Sequence, residues 1–151
     1  MARRATRWVG GLAALAALAT LLGCGGGSPF EDACHDLRKG GRKVRERAAM
    51  DLYRYGARAV PPLVGALDDP SASVVFAAIM SLTELGPRAA PAVGKLVFHV
   101  TAGPEDVRMA ALEALVQIAP RDPRSITVFF WTLGSPDDDL RIALERLLER
   151  P

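Results

Sequence analysis

SVVFAAIMSLTELGPRAAPAVGKLVFHV, residues 73–100, decides the fold. Ser73 to Leu85 reads as one helix, Gly86-Pro87-Arg88 breaks it, and Pro91 opens a second. The same pattern is written on either side. Val44, Ala48, Leu52 and Tyr55 anticipate Val74, Ala78, Leu82 and Leu85 at an offset of 30, and Val107, Ala111, Leu115 and Ile118 echo them at an offset of 33. No stretch alternates with period 2 for long enough to predict a strand. Regular spacing of helix pairs predicts a stack in which no pair buries its apolar face alone and neighbours complete the core.

Working outward, the connector Gly56-Ala57-Arg58-Ala59-Val60-Pro61-Pro62 matches Gly86-Pro87-Arg88-Ala89-Ala90-Pro91-Ala92 position by position. Glycine supplies the left-handed residue that ends one helix, and proline is tolerated in the first turn of the next. Ala119-Pro120-Arg121-Asp122 fills the slot a third time, with Ala where Gly stood. The trailing helices carry Leu63 and Leu67, then Val93 and Val97, then Ile126 and Phe130. Gly40-Gly41 separates a short lead-in helix, ending at Lys39, from the first leading helix, Arg42 to Tyr55.

Two family resemblances follow from these residues. Asp106-Val107-Arg108 with Ala110-Ala111-Leu112 and Leu115 resembles the leading helix of a HEAT repeat, and Asp139-Leu140-Arg141 with Ala143-Leu144 and Leu148 repeats it. Ala-Val-Pro-Pro-Leu-Val at 59–64 resembles the trailing helix, and the short period is most similar to the phycobilisome-lyase subgroup. The resemblance implies an all-α, right-handed α-solenoid of about three and a half helix pairs, with repeats at about 42–70, 71–103 and 104–136 and a terminal helix at 137–150. It implies an Asp–Arg ladder between neighbours, from which Ser73-Val74-Val75 departs. It also implies a protein-binding surface on the trailing helices. With Val93, Leu96, Val97 and Val100 inward, Lys95 and His99 face out, and the matching Val128 and Thr132, with Phe98 and Trp131 alongside, complete the expected partner site.

The second resemblance lies at the N-terminus. Arg3, Arg4 and Arg7 precede an uncharged run from Trp8 to Leu22, the shape of a secretory signal, with a lone anchor helix as the alternative. Leu21-Leu22-Gly23-Cys24 resembles the bacterial lipobox, which implies a signal peptide at 1–23 and a lipid on Cys24. Residues 24–29 then form a flexible spacer ahead of a repeat domain at 30–151. Gly25 in place of Asp implies outer-membrane sorting in a double-membraned envelope.

Charge agrees with export rather than nucleic acid. The chain carries 19 basic and 17 acidic side chains. Removing Arg3, Arg4 and Arg7 leaves 16 against 17, so the basic balance belongs to the signal. Lys39, Arg42, Lys43 and Arg45 belong to the one clear basic cluster and are candidates for meeting an anionic membrane surface.

The residues offer little for catalysis. Cys34 is the only other cysteine; with Cys24 acylated it has no partner, and otherwise a Cys24–Cys34 loop is open. Cys34 and His35 are sequence neighbours, about 100° apart on a helix, a poor metal pair. Asp137-Asp138-Asp139 lacks the glycine turn and distal carboxylate of a calcium loop and reads as helix capping. The expectation is a non-catalytic, lipid-anchored scaffold for another envelope protein, with no metal and no cofactor. The alternatives are an accessory factor of a lyase-like enzyme and a membrane-surface element built on the basic cluster.

Overall fold

A computed structural model describes residues 27–149. The expected signal peptide, Cys24 and the first residues of the expected spacer lie outside the described residues. Eight α-helices follow among those described: α1 (Pro29–Lys39), α2 (Arg42–Asp51), α3 (Val60–Ala66), α4 (Ala72–Leu85), α5 (Val93–Ala102), α6 (Glu105–Ile118), α7 (Pro123–Leu133) and α8 (Asp138–Leu148). The leading helices α2, α4, α6 and α8 pack in series, α5 lies beside α7, and α1 covers the front of the stack against α2 and α3. Packing of each unit on its sequence neighbours makes this an all-α solenoid.

Each boundary has a local cause. Ser28 caps α1 in a reciprocal box: its Oγ accepts from the Glu31 N–H, and Glu31 Oε2 accepts from the Ser28 N–H. The first leading helix stops being α-helical at Asp51, four residues earlier than the periodicity predicts, and Leu52–Ala59 continues as 3-10 helix. Likewise α5 begins at Val93, because Pro91 sits inside the 3-10 stretch Gly86–Ala92. Gly56 (φ 60°, ψ −140°) and Gly86 (φ 57°, ψ −138°) turn the chain in a conformation that a side chain resists. Ala119 cannot cheaply adopt it and stands at φ −150°, ψ 61°.

The core is one continuous cluster. Leu52, Leu82 and Leu115 hold equivalent places in three leading helices and are fully buried, as are Leu63, Leu96, Leu140 and Leu144. Truncating any of them to Ala costs about 2–5 kcal/mol. The core pattern of the leading helices frays at the two ends. Val44 is half exposed where Val74 and Val107 are buried, since only α1 stands in front of it. At the other end Glu145 is exposed where Ile79 and Leu112 are buried.

Polar joints stitch the leading side. Arg45 forks onto Asp69 (Nε–Oδ2 2.7 Å, Nη2–Oδ1 3.0 Å) and donates to the Gly40 carbonyl. Burial alone would raise the Asp69 carboxyl; hydrogen bonds from Arg45 and the Ser71 N–H outweigh it and hold the group below its ordinary value. Arg108 pairs with Asp137, whose carboxylate also caps α8 through the Leu140 N–H. Both acids lie ahead of the following helix, not at the Asp of the Asp-x-Arg motif; Asp106 bonds the N–H of Val107 instead. In the middle repeat the arginine's place is taken by Val75, which is buried. There the register is held by Ser81, whose buried Oγ donates to the Ala49 carbonyl at 2.7 Å, and by Ser73, which donates to Glu46.

Candidate functional site

The trailing side of the stack carries the candidate site, and α5 and α7 build it differently. α5 is latched to α3. Lys95 Nζ donates to the Val64 carbonyl at 2.9 Å and to Asp68, and His99 Nε2 meets the Leu67 carbonyl at 2.8 Å. Those carbonyls lie at the C-terminal end of α3, Leu67 being its cap, where a cation and an N–H donor are what a helix end attracts. Lys95 and His99 therefore do not face out, as the spacing predicts; both are half-buried and committed within the array. The imidazole contact requires the Nε2–H form.

The third connector is one residue short. Seven residues, 86–92, separate Leu85 from Val93, but only six, 119–124, separate Ile118 from Ser125. One residue on a helix is about 100° of rotation. The inward face of α7 is consequently Ser125, Val128, Phe129 and Thr132, matching Val93, Leu96, Val97 and Val100 at an offset of 32. Asp122 caps this helix through the Arg124 N–H, and Pro123 takes its first position.

This register corrects the predicted partner set. Val128 and Thr132 are 5% and 0% exposed and lie in the core, out of reach of any partner. Ile126 and Phe130, which an offset of 33 would match to Val93 and Val97, face solvent. Phe130 is 73% exposed, Phe98 62% and Trp131 49%, with Ile126 and Leu133 also open. Phe98 and Phe130 hold equivalent positions on helices that pack side by side. The sequence signal that finds Ile126, Phe130 and Leu133 is the shortened connector without its glycine.

The remaining candidates separate as clearly. Among the basic residues, Arg45 is consumed by Asp69 and Gly40 and is withdrawn from any membrane-facing set, while Lys39, Arg42 and Lys43 are exposed. Cys34 is buried on the inner face of α1. Burial pushes its thiol up, against the opposing pull of the Arg38 and Arg58 charges. Among the described residues no three His, Cys, Asp or Glu side chains converge to hold a metal ion, and no helix is long and apolar enough to cross a membrane.

Helix pairs stacked in this way, with an open apolar strip on their trailing side, define the α-solenoid class of repeat proteins. Residues 59–98 match the HEAT repeat family and residues 44–69 match the PBS lyase HEAT-like repeat. Together the two matches span residues 44–98 and support a HEAT-repeat protein. No curated protein matches it. HEAT repeats generally serve protein–protein interaction.

Proposed function

We propose that this protein is a non-catalytic scaffold, held at a bacterial envelope by lipid on Cys24, that grips another envelope protein through the trailing helices α5 and α7. The observation that carries the reading is the exposure of Phe98, Phe130 and Trp131 with Ile126 and Leu133 beside them. Large aromatic side chains bury much area at low entropic cost and dominate binding hot spots. Recognition then needs shape and apolar contact, without bond-making. His99, the one histidine on this side, is tied to the Leu67 carbonyl. Lys39, Arg42 and Lys43 add attraction to anionic headgroups, about 1 kcal/mol per residue close to such a surface. In an envelope with two membranes, Gly25 directs the anchor to the outer one.

The test is capture from solubilised membranes, read by mass spectrometry, with wild-type protein and with Phe98→Ala, Phe130→Ala and Trp131→Ala combined. Hot-spot truncations of at least about 2 kcal/mol each lower affinity about thirtyfold or more, so the triple variant should lose the partner while keeping its helical circular dichroism. Equal recovery by both proteins moves the site off these helices. Anchoring is tested separately: Cys24→Ser should release the protein from the membrane fraction, and continued sedimentation with membranes would sink the lipid reading.

A further inference from the structure

A concave feature lies at the front of the array, where α1 crosses α3. The two helices leave a cleft of about 770 Å³ between them, within the size range of small-molecule sites. Its walls are apolar: Phe30 and Leu37 from α1, Pro61, Pro62 and Ala66 from α3, with the Cys34 thiol between. Two cations stand on the lining, Arg38 and Arg58. Arg58 is steadied over the Phe30 ring, its guanidinium carbon 4.6 Å from the centroid. Among the described residues neither arginine has a carboxylate partner.

The acids at the far edge of the cleft are already neutralised. Asp69 is forked by Arg45, and Asp68 is paired with Lys95. The cleft is thus an apolar trough with unspent positive charge at one place. Both arginines are close enough to the Cys34 thiol to pull on its ionisation, with Glu31 opposing them. Arg45 and Lys95 find carboxylates across helices, whereas Arg38 and Arg58 stand beside a wall rich in hydrocarbon.

We propose that this cleft binds an amphipathic monocarboxylate, with its hydrocarbon tail along Phe30, Leu37 and Ala66 and its carboxylate between Arg38 and Arg58. A guanidinium binds a carboxylate through paired N–H donors, and the bond is charge-assisted. The tail contributes in proportion to the apolar area it removes from water. This site is independent of the protein-binding surface on α5 and α7, and neither depends on the other.

Cys34 supplies a built-in reporter, because an occupant must cover the wall that holds it. The experiment is iodoacetamide alkylation of the full chain, followed at the Cys34 peptide by mass spectrometry, with decanoate below its micelle concentration and with decanol as the uncharged control. At about ten times its Kd, decanoate leaves about one site in eleven open, so labelling should slow about tenfold. Decanol should protect far less at the same concentration. Arg38→Gln and Arg58→Gln each remove one charge-assisted bond and should weaken decanoate binding about tenfold, measured also by calorimetry, with Arg58→Lys retaining part of it. Equal protection by decanol, no protection by either probe, or undiminished decanoate binding in the doubly substituted protein would each overturn the proposal. Protection by an acidic peptide where decanoate gives none would replace the small amphiphile with a peptide.

Discussion

The front of the array, through α5, and its rear, from α6 onward, solve the same packing problem to different standards. In the front, buried and half-buried polar groups find partners: Ser81 reaches Ala49, Lys95 and His99 close the end of α3, and Arg45 makes a three-way fork. In the rear, Arg108 Nε, Ser125 Oγ and Thr132 Oγ1 are buried without a hydrogen-bond partner among the described residues. The front turns at Gly56 and Gly86; the rear turns at Ala119, one residue short. On the trailing side the rear carries Phe130 and Trp131 of the open aromatic strip, which Phe98 on α5 continues into the front. The difference teaches that one missing connector residue rotates a whole helix, bringing two hydroxyls into the core and sending the Phe130 ring outward. A surface made this way is stable enough to fold yet has apolar area left for a partner.

The sharpest way to break this comparison is Val128→Lys. An exact 33-residue copy would seat residue 128 at the place of Lys95 and tolerate the change. The observed register buries an unpaired ammonium, with an expected loss of about 3–5 kcal/mol by chemical denaturation. Phe130→Lys should cost about 0.5 kcal/mol or less. Comparable losses for the two would refute the rotated helix.

Next in size is Gly86→Ala. Open space surrounds the added methyl, so any effect isolates backbone strain. Residues forced into this region lose about 1–3 kcal/mol, whereas Ala119→Gly should change stability little. A neutral Gly86→Ala would mean the front turn is no tighter than the rear one.

Smaller again is Arg45→Ala, which should destabilise the front joint in a pH-dependent way. The Asp69 carboxyl has its folded pKa below the unfolded value of about 3.9. Its contribution is therefore fully present above that value and fades as pH falls through the folded pKa. Melting temperatures of variant and parent should converge in acid; a constant gap would assign the effect to packing. Smallest is Thr132→Val, which removes a buried, unpaired hydroxyl at nearly constant shape and should stabilise the rear by about 1 kcal/mol. A loss would mean that the hydroxyl is satisfied after all.

Much of the fold was legible in the sequence because the signals are local. The period of the leading helices, the glycine turns at 56 and 86 and the acid-rich starts of α1, α6 and α8 each act within a few residues of where they are written. Less of the candidate site was legible. Lys95 and His99 look like a solvated pair until their targets, more than 25 residues upstream, are known. Arg45 reads as part of a basic patch because Asp69 lies 24 residues away. The aromatic strip was hidden by extending the leading-helix offset of 33 through a connector that follows an offset of 32. Phe98 and Trp131 were found because bulky aromatic residues at helix ends draw notice in any register.

Gly56 and Gly86 leave the chain in nearly the same backbone conformation, φ near 60° and ψ near −140°. The block from Ala57 to Gly86 therefore enters and exits through interchangeable joints. Such a block is a cassette: splicing in a second copy should lengthen the rod by one rung and leave both neighbours geometrically undisturbed, so that reach could be set by counting copies.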